Sequence, residues 1–290
     1  MIHPQCPLCG STRLTKLFDV QRHELLACDD CELLSIGPYP SDAERVYETV
    51  ADYQYDALEI MSAEAHFRSS QLAYERIYPW IRGYFATART ALDVGCGTGY
   101  LLHQLREFPE LLREGIELNR GRAAFARQAS GCDIHENPLQ QLPTTRSYDV
   151  ITLMAVFSHV PDFASFYPAA RQLMSDRGRL ILYVGEFSRQ VKRRAVFDWE
   201  VPDHLHFMGL KTAEALAGKF GFRVVEHRRE PLEDLLFAVN TWRAPGRSRS
   251  RNMLKRVIAG TPGALRLLKT LYKSRHGGTV FNSLIVYERA

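Results

Sequence analysis

Residues 91–102 read Ala91-Leu92-Asp93-Val94-Gly95-Cys96-Gly97-Thr98-Gly99-Tyr100-Leu101-Leu102. Ala91 to Val94 is a short apolar run broken by one acid, Asp93. Glycines then occupy alternate positions, and from Tyr100 the apolar residues resume at helical spacing. The stretch predicts a buried strand, a glycine turn and a helix start. Glycine permits positive φ and lets a ligand come close to the backbone. The first N–H groups of the following helix lack partners in the helix and face whatever binds there.

Spacing narrows the ligand. A dinucleotide fingerprint, G-x-G-x-x-G, needs its third glycine where strand and helix pack. Counted from Gly95, that position holds Tyr100. The pattern present, D-x-G-x-G-x-G, resembles motif I of the class I S-adenosylmethionine (SAM) methyltransferases. Gly115-Ile116-Glu117-Leu118-Asn119 agrees with it: a second strand ending in an acid whose carboxylate can accept both ribose hydroxyls. The resemblance implies SAM as cofactor. It implies contacts from Asp93, Gly95, Cys96, Gly97 and Gly99, from Glu117 and Leu118, and from Asn137 and Leu139 beside the adenine. Met154 would stand at the methionine end. Asn137-Pro138 also reads as a plain turn. The implied fold is α/β, a doubly wound, Rossmann-like, seven-stranded methyltransferase sheet. The order of segments fits: strands at 148–153 and 178–184 alternate with helices at 120–129 and 163–174.

A different chemistry sits at the N-terminus. Cys6-Pro7-Leu8-Cys9 and Cys28-Asp29-Asp30-Cys31 form two C-x2-C knuckles, the spacing of a tetrahedral zinc site closed by four thiolates. Residues 1–40 therefore predict a zinc ribbon with a structural Zn ion, since so short a segment buries little on its own. Pro38, Pro40 and Ser41 mark the boundary with a methyltransferase domain over 41–290. Ser41-Asp42-Ala43-Glu44 predicts a capped helix start. Tyr53 and Tyr55 are candidates to cover the cofactor site or merely to pack.

Candidate catalytic residues lie later. Ser158-His159-Val160 follows the 148–153 strand, where the family often reads Glu-His-Val. Trp199-Glu200-Val201-Pro202-Asp203-His204-Leu205-His206-Phe207 precedes a helix from Thr212 to Phe220. This resembles the zinc-ribbon-bearing sugar C-methyltransferases, whose Glu-His-Leu segment supplies a base acting on a nucleotide-linked keto sugar. Asp203-His204-Leu205 matches with an acid change. The family's tyrosine two residues earlier is Val201 here, and its large C-terminal domain is lacking. The resemblance implies His204 as base, oriented by Asp203, with His159 as the next candidate.

The strands at 223–227 and 280–287 are separated by an insertion at about 231–278. Between Arg243 and Arg275 it carries ten basic residues and no acid. Such a stretch suits a pyrophosphate, an anionic membrane surface or RNA, or is simply a solvated charged face. The overall formal charge is only +4, and 46% of residues are hydrophobic, values ordinary for a globular protein. No apolar run reaches the ~18 residues of a membrane span, and the first residues lack a signal-peptide pattern, which suggests the cytoplasm. The leading expectation is methyl transfer to a small molecule, a nucleotide-linked or glycan sugar. The competing ones are an RNA methyltransferase and a non-catalytic SAM-binding or zinc-ribbon interaction protein.

Overall fold

A computed structural model describes residues 5–37, 63–193, 201, 203–231 and 278–290. Pro38, Pro40, the helix start expected at Ser41 to Glu44, Tyr53, Tyr55, Trp199, Glu200 and the ten-cation stretch lie outside the described residues.

The expected strand–turn–helix is present. Strand β4 (Thr90–Val94) is buried over its last four residues, and helix α2 (Tyr100–Gln104) starts after Gly99, whose φ is 78°. Strand β5 (Leu112–Ile116) leads to helix α3 (Arg120–Ser130). The Asn119 side chain caps α3 by accepting from the Arg122 N–H, and Gly131 at φ 69° ends it. Strands β6 (Asp133–His135), β7 (Tyr148–Met154) and β8 (Met174–Phe187) follow, with α4 (Phe163–Leu173) between the last two. Helix α5 (Thr212–Phe220) lies between β9 (His206–Gly209) and β10 (Phe222–Pro231), and β11 (Val280–Arg289) closes the chain. Upstream, helix α1 (Ala63–Phe85) precedes β4, and β1 (Leu14–Val20), β2 (His23–Cys28) and β3 (Leu34–Gly37) form the N-terminal module.

Strands run β6-β5-β4-β7-β8 in parallel. Antiparallel β11 and β10 continue beyond β8. Those strands number seven, and hydrogen bonding continues beyond them to a sheet of eleven. The extra four are β9 and the N-terminal hairpin strands. Strand β9 pairs with the far end of β8 through Glu186 and Phe187, past the point where β7 stops. Its other edge takes β3, with Leu34 opposite Phe207 and Ser35 opposite His206. The cysteine module is thus a continuation of the main sheet.

The two faces are covered differently. Ile77, Ile81 and Phe85 of α1 pack with Leu101, Val150, Ile181 and Leu284. On the other side, Phe163, Tyr167 and Leu216 from α4 and α5 share one cluster with Leu153 and Leu182. That cluster also contains Cys6, Leu8, Cys28, Cys31 and Leu33. The module is therefore held by apolar burial against the large core as well as by whatever its cysteines bind.

A buried carboxylate joins β8, β10 and β11. Glu186 is 0% exposed and accepts from Arg229 Nε at 2.7 Å and from Ser283 Oγ, with His227 Nε2 at 2.9 Å. Burial alone would raise its pKa; the bonds from His227, Arg229 and Ser283 outweigh it and hold the carboxyl low.

Candidate functional site

A cavity of about 330 Å³ opens beyond the carboxyl ends of β4, β5 and β7, the place where doubly wound sheets take their ligands. The glycine loop forms one wall, and its three glycines have three separate reasons. At Gly95 a Cβ would fall 2.6 Å from Val156 Cγ2, and at Gly99 it would press on Ala126. At Gly97 a Cβ would meet nothing within 4 Å, but φ is 57°. Gly97 alone therefore leaves open space above a left-handed backbone, in the cavity wall.

Glu117, just past β5, clamps that loop. One carboxylate oxygen accepts from the Gly97 N–H and the other from the Asn119 N–H, each at 2.9 Å. Burial raises its pKa, against the pull of those backbone bonds and of Arg122. Asp93 lies behind the loop, 2% exposed. It accepts from Thr152 Oγ1 at 2.7 Å and so ties β4 to β7. Burial pushes its pKa up to about 7.

Helix α1 supplies a second wall through His66, Ser70 and Tyr74. His66 Nδ1 lies 3.4 Å from Thr98 Oγ1. Burial, with Arg122 in support, lowers its pKa and favours the neutral ring. Met154, Ala155 and Val156 carry the wall round past β7. Ala155 has φ 61°, unusual for a residue with a side chain, and its N–H is bonded to the Tyr183 carbonyl at 2.8 Å.

The far end is made by two segments distant in sequence. His159, in a tight turn after β7, has Nδ1 3.1 Å from the backbone oxygen of Asp203 and 3.3 Å from its carboxylate Oδ1. The His204 ring centroid stands 4.7 Å from that of His159. The segments are latched together by the Leu205 N–H, which donates to the Ser158 carbonyl at 2.8 Å. The Leu205 carbonyl in turn accepts from the Ile36 N–H of β3 at 3.1 Å.

Of the residues singled out from sequence, Gly95, Cys96, Gly97, Glu117, Met154, His159 and Asp203 line the cavity. Gly99 and Asp93 shape it from behind. Leu118 is half-buried against the core. Leu139 is buried in the core and Asn137 is exposed; neither lines the cavity, because the turn after β6 folds Leu139 inward beneath α4. Asp203 lies against His159 as well, and His204 belongs to the same cluster, with ligand atoms of all three within 4.8 Å of one another. His206 is buried with its ring on Phe163, a core histidine. Sequence reasoning missed His66, Ser70, Tyr74, Thr98, Asn119 and Arg122. Thr98 and Asn119 lie inside the two motifs and were within reach. The α1 residues carry no motif.

The four N-terminal cysteines converge. Cys6 and Cys31 sulfurs are 3.5 Å apart, as are Cys9 and Cys28, and all four lie within 4.8 Å of one another. Thiolates ~2.3 Å from a tetrahedral zinc stand ~3.8 Å apart, so the donor set has the right size and chemistry for that ion.

Residues 65–227 match a family model described as "Methyltransferase domain", more than half of the chain. A ubiquinone biosynthesis O-methyltransferase of Acinetobacter baylyi is 30% identical over 32% of this chain and 42% of that protein. One of Nitrosococcus oceani is 31% identical over 35% and 46%. The alignments thus span less than half of these curated relatives. Among solved structures, geranyl diphosphate C-methyltransferase from Streptomyces coelicolor A3(2), in complex with Mg2+, a geranyl-S-thiolodiphosphate and S-adenosyl-L-homocysteine, aligns with TM-score 0.53 at 14% identity, over 74% of this chain and 76% of that one. A putative sarcosine dimethylglycine methyltransferase from Galdieria sulphuraria aligns with TM-score 0.51 at 15% identity, over 85% and 98%. At such identities the likeness is one of fold.

Proposed function

We propose, from the premise that the chain belongs to the methyltransferase-domain family, that it transfers a methyl group from SAM to an oxygen of a small-molecule acceptor. The observation that carries this is the Gly97–Glu117 clamp. A glycine with open space above it and a buried carboxylate bonded to its N–H fit an adenosyl group lying across the loop. In this reading Glu117 accepts from the ribose hydroxyls with its remaining lone pairs. The loop N–H groups hold the cofactor close, and Met154 and Ala155 flank its sulfonium end. The cofactor supplies an electrophilic methyl carbon. The protein's work is alignment, exclusion of water and removal of the acceptor's proton.

His159 is the group we place at that last task. It lines the cavity, and Asp203 orients its ring through Nδ1. An imidazole is a suitable base for a hydroxyl acceptor at neutral pH. The O-methyltransferase names of the curated relatives favour oxygen as the atom methylated. A nucleotide-linked sugar is the acceptor that the Asp203-His204-Leu205 segment suggests. The basic stretch that would favour RNA lies outside the described residues, and among the described residues no helix is long and apolar enough to cross a membrane. We further propose that Cys6, Cys9, Cys28 and Cys31 hold one structural zinc, closed to substrate.

The test is calorimetry with SAM, S-adenosylhomocysteine and NAD, followed by turnover on a panel of hydroxylated small molecules and nucleotide sugars, with product masses read. The expected result is binding of the first two, no binding of NAD, and a mass gain of one methyl group on an acceptor. Failure to bind SAM would overturn the reading.

A further inference from the structure

We propose that His159, Asp203 and His204 together bind a divalent transition-metal ion at the acceptor end of the cavity. This deepens the proposed methyl transfer and rests on it for its chemical meaning, though not for its test.

The argument is geometric. Each of the three side chains offers a ligand atom, and these atoms all lie within 4.8 Å of one another. Two donors ~2.1 Å from one ion stand ~3.0 Å apart at 90° and ~3.4 Å apart at the tetrahedral angle. The 3.3 Å between His159 Nδ1 and Asp203 Oδ1 falls in that interval. The Asp203 backbone oxygen, 3.1 Å from the same Nδ1, is a further oxygen at ligand spacing. The set is also held in place before any ion arrives. His159 and Asp203 come from segments 44 residues apart, and the Leu205 N–H bond to Ser158 fastens one to the other. Two imidazoles and one carboxylate are a donor set for Zn2+, Fe2+, Co2+ or Ni2+ more than for Mg2+. His159 and Asp203 also face the cavity, so an ion there keeps a coordination position open toward the acceptor, as catalytic metal sites do.

The chemistry follows from that position. With the ion in place the imidazoles are ligands, and the acceptor hydroxyl oxygen binds the ion. The O–H bond then breaks and its proton goes to solvent water. The oxygen lone pair forms the new bond to the methyl carbon as the carbon–sulfur bond breaks, leaving S-adenosylhomocysteine. The ion takes over the activation that His159 performs alone when the cluster is empty.

The test is titration of Co2+ alone into protein whose four-cysteine site has been filled with Zn2+. Visible d–d absorption and calorimetry follow the titration. We expect one Co2+ per chain with nitrogen and oxygen ligation. Any uptake by the cysteines would show itself separately as thiolate charge-transfer absorption. Asp203→Asn and His204→Ala should each weaken Co2+ binding at least ten-fold, with circular dichroism reporting that each variant is folded. Absence of saturable Co2+ binding, or binding unchanged in both cluster variants, would overturn the proposal. Either result would leave the His159 reading standing, because SAM binding and turnover are measured independently.

Discussion

The two ends of the cavity are built in opposite ways. The cofactor end comes from one short run of chain. Gly95, Gly97, Glu117, Asn119 and Arg122 belong to β4, β5 and the turns and helix that follow, and their main bonds span twenty residues or fewer. The far end is gathered from the turn after β7 and the segment before β9, with β3 of the cysteine module behind them. Its decisive contact, His159 to Asp203, closes 44 residues. A local end can be rebuilt in any chain that keeps the motif; a gathered end depends on the whole sheet. Substitutions at the two should therefore fail differently.

The largest expected effect lies at the gathered end. His159→Ala should lower turnover by roughly 10²–10⁴-fold, the usual share of acid–base assistance, with SAM affinity within about twofold of wild type. Equal losses in both quantities would mean that the two ends are not separable. Next is a break in the support. At Gly209 a Cβ would sit 1.8 Å from the Glu32 backbone oxygen, with no flexible side chain to move. Gly209→Ala should cost about 3 kcal/mol, the upper part of the overpacking range, and calorimetric unfolding should record it. The same scan on Gly97→Ala should show a smaller change of about 1 kcal/mol, the cost of a left-handed φ with no neighbour met. At the local end, Glu117→Ala removes a carboxylate that holds two backbone N–H groups. SAM affinity should fall about tenfold to a hundredfold, the size of one charge-assisted bond, and kcat at saturating cofactor should be nearly kept. Calorimetry finding unchanged affinity would remove Glu117 from the site.

A further effect concerns pH. Burial raises the Asp93 pKa from its ordinary 3.8 to about 7. The folded chain thus keeps a proton that the unfolded chain has already lost. That stabilisation is complete below about pH 4 and is lost as pH rises through 7. Asp93→Asn, which never ionises, should raise the melting temperature at pH 8 and leave it unchanged near pH 4. A difference constant across that range would show that Asp93 is not carrying its charge in the dry interior.

The same contrast explains what the sequence made legible. The Gly97–Glu117 clamp could be read because strand, turn and acid are spaced along one stretch, and each residue type has a steric or charge requirement there. The four cysteines could be read for the same reason. Asp203 was legible as a partner to a histidine but not to which one. Adjacency in the chain pointed to His204, and the turn at Phe157–His159 brings a second ring to the same carboxylate. His66, Ser70 and Tyr74 were invisible because spacing along α1 says which face is apolar, not which end of the sheet that face covers. The eleven-strand count was invisible too. Nothing in Leu34-Ser35-Ile36 announces that it pairs with a strand some 170 residues later.

That pairing determines what trimming the chain would do. Strand β9 has β8 on one side over its last two residues and β3 on the other. Cutting away residues 1–37 would uncover the β3-facing edge, together with Leu205 and Phe207, which are 1% and 6% exposed in the intact fold. The truncated protein would present an open apolar strand ready to pair with its own copies. With that edge covered by the cysteine hairpin in the intact fold, a shortened chain should form aggregates in preference to a stable monomer.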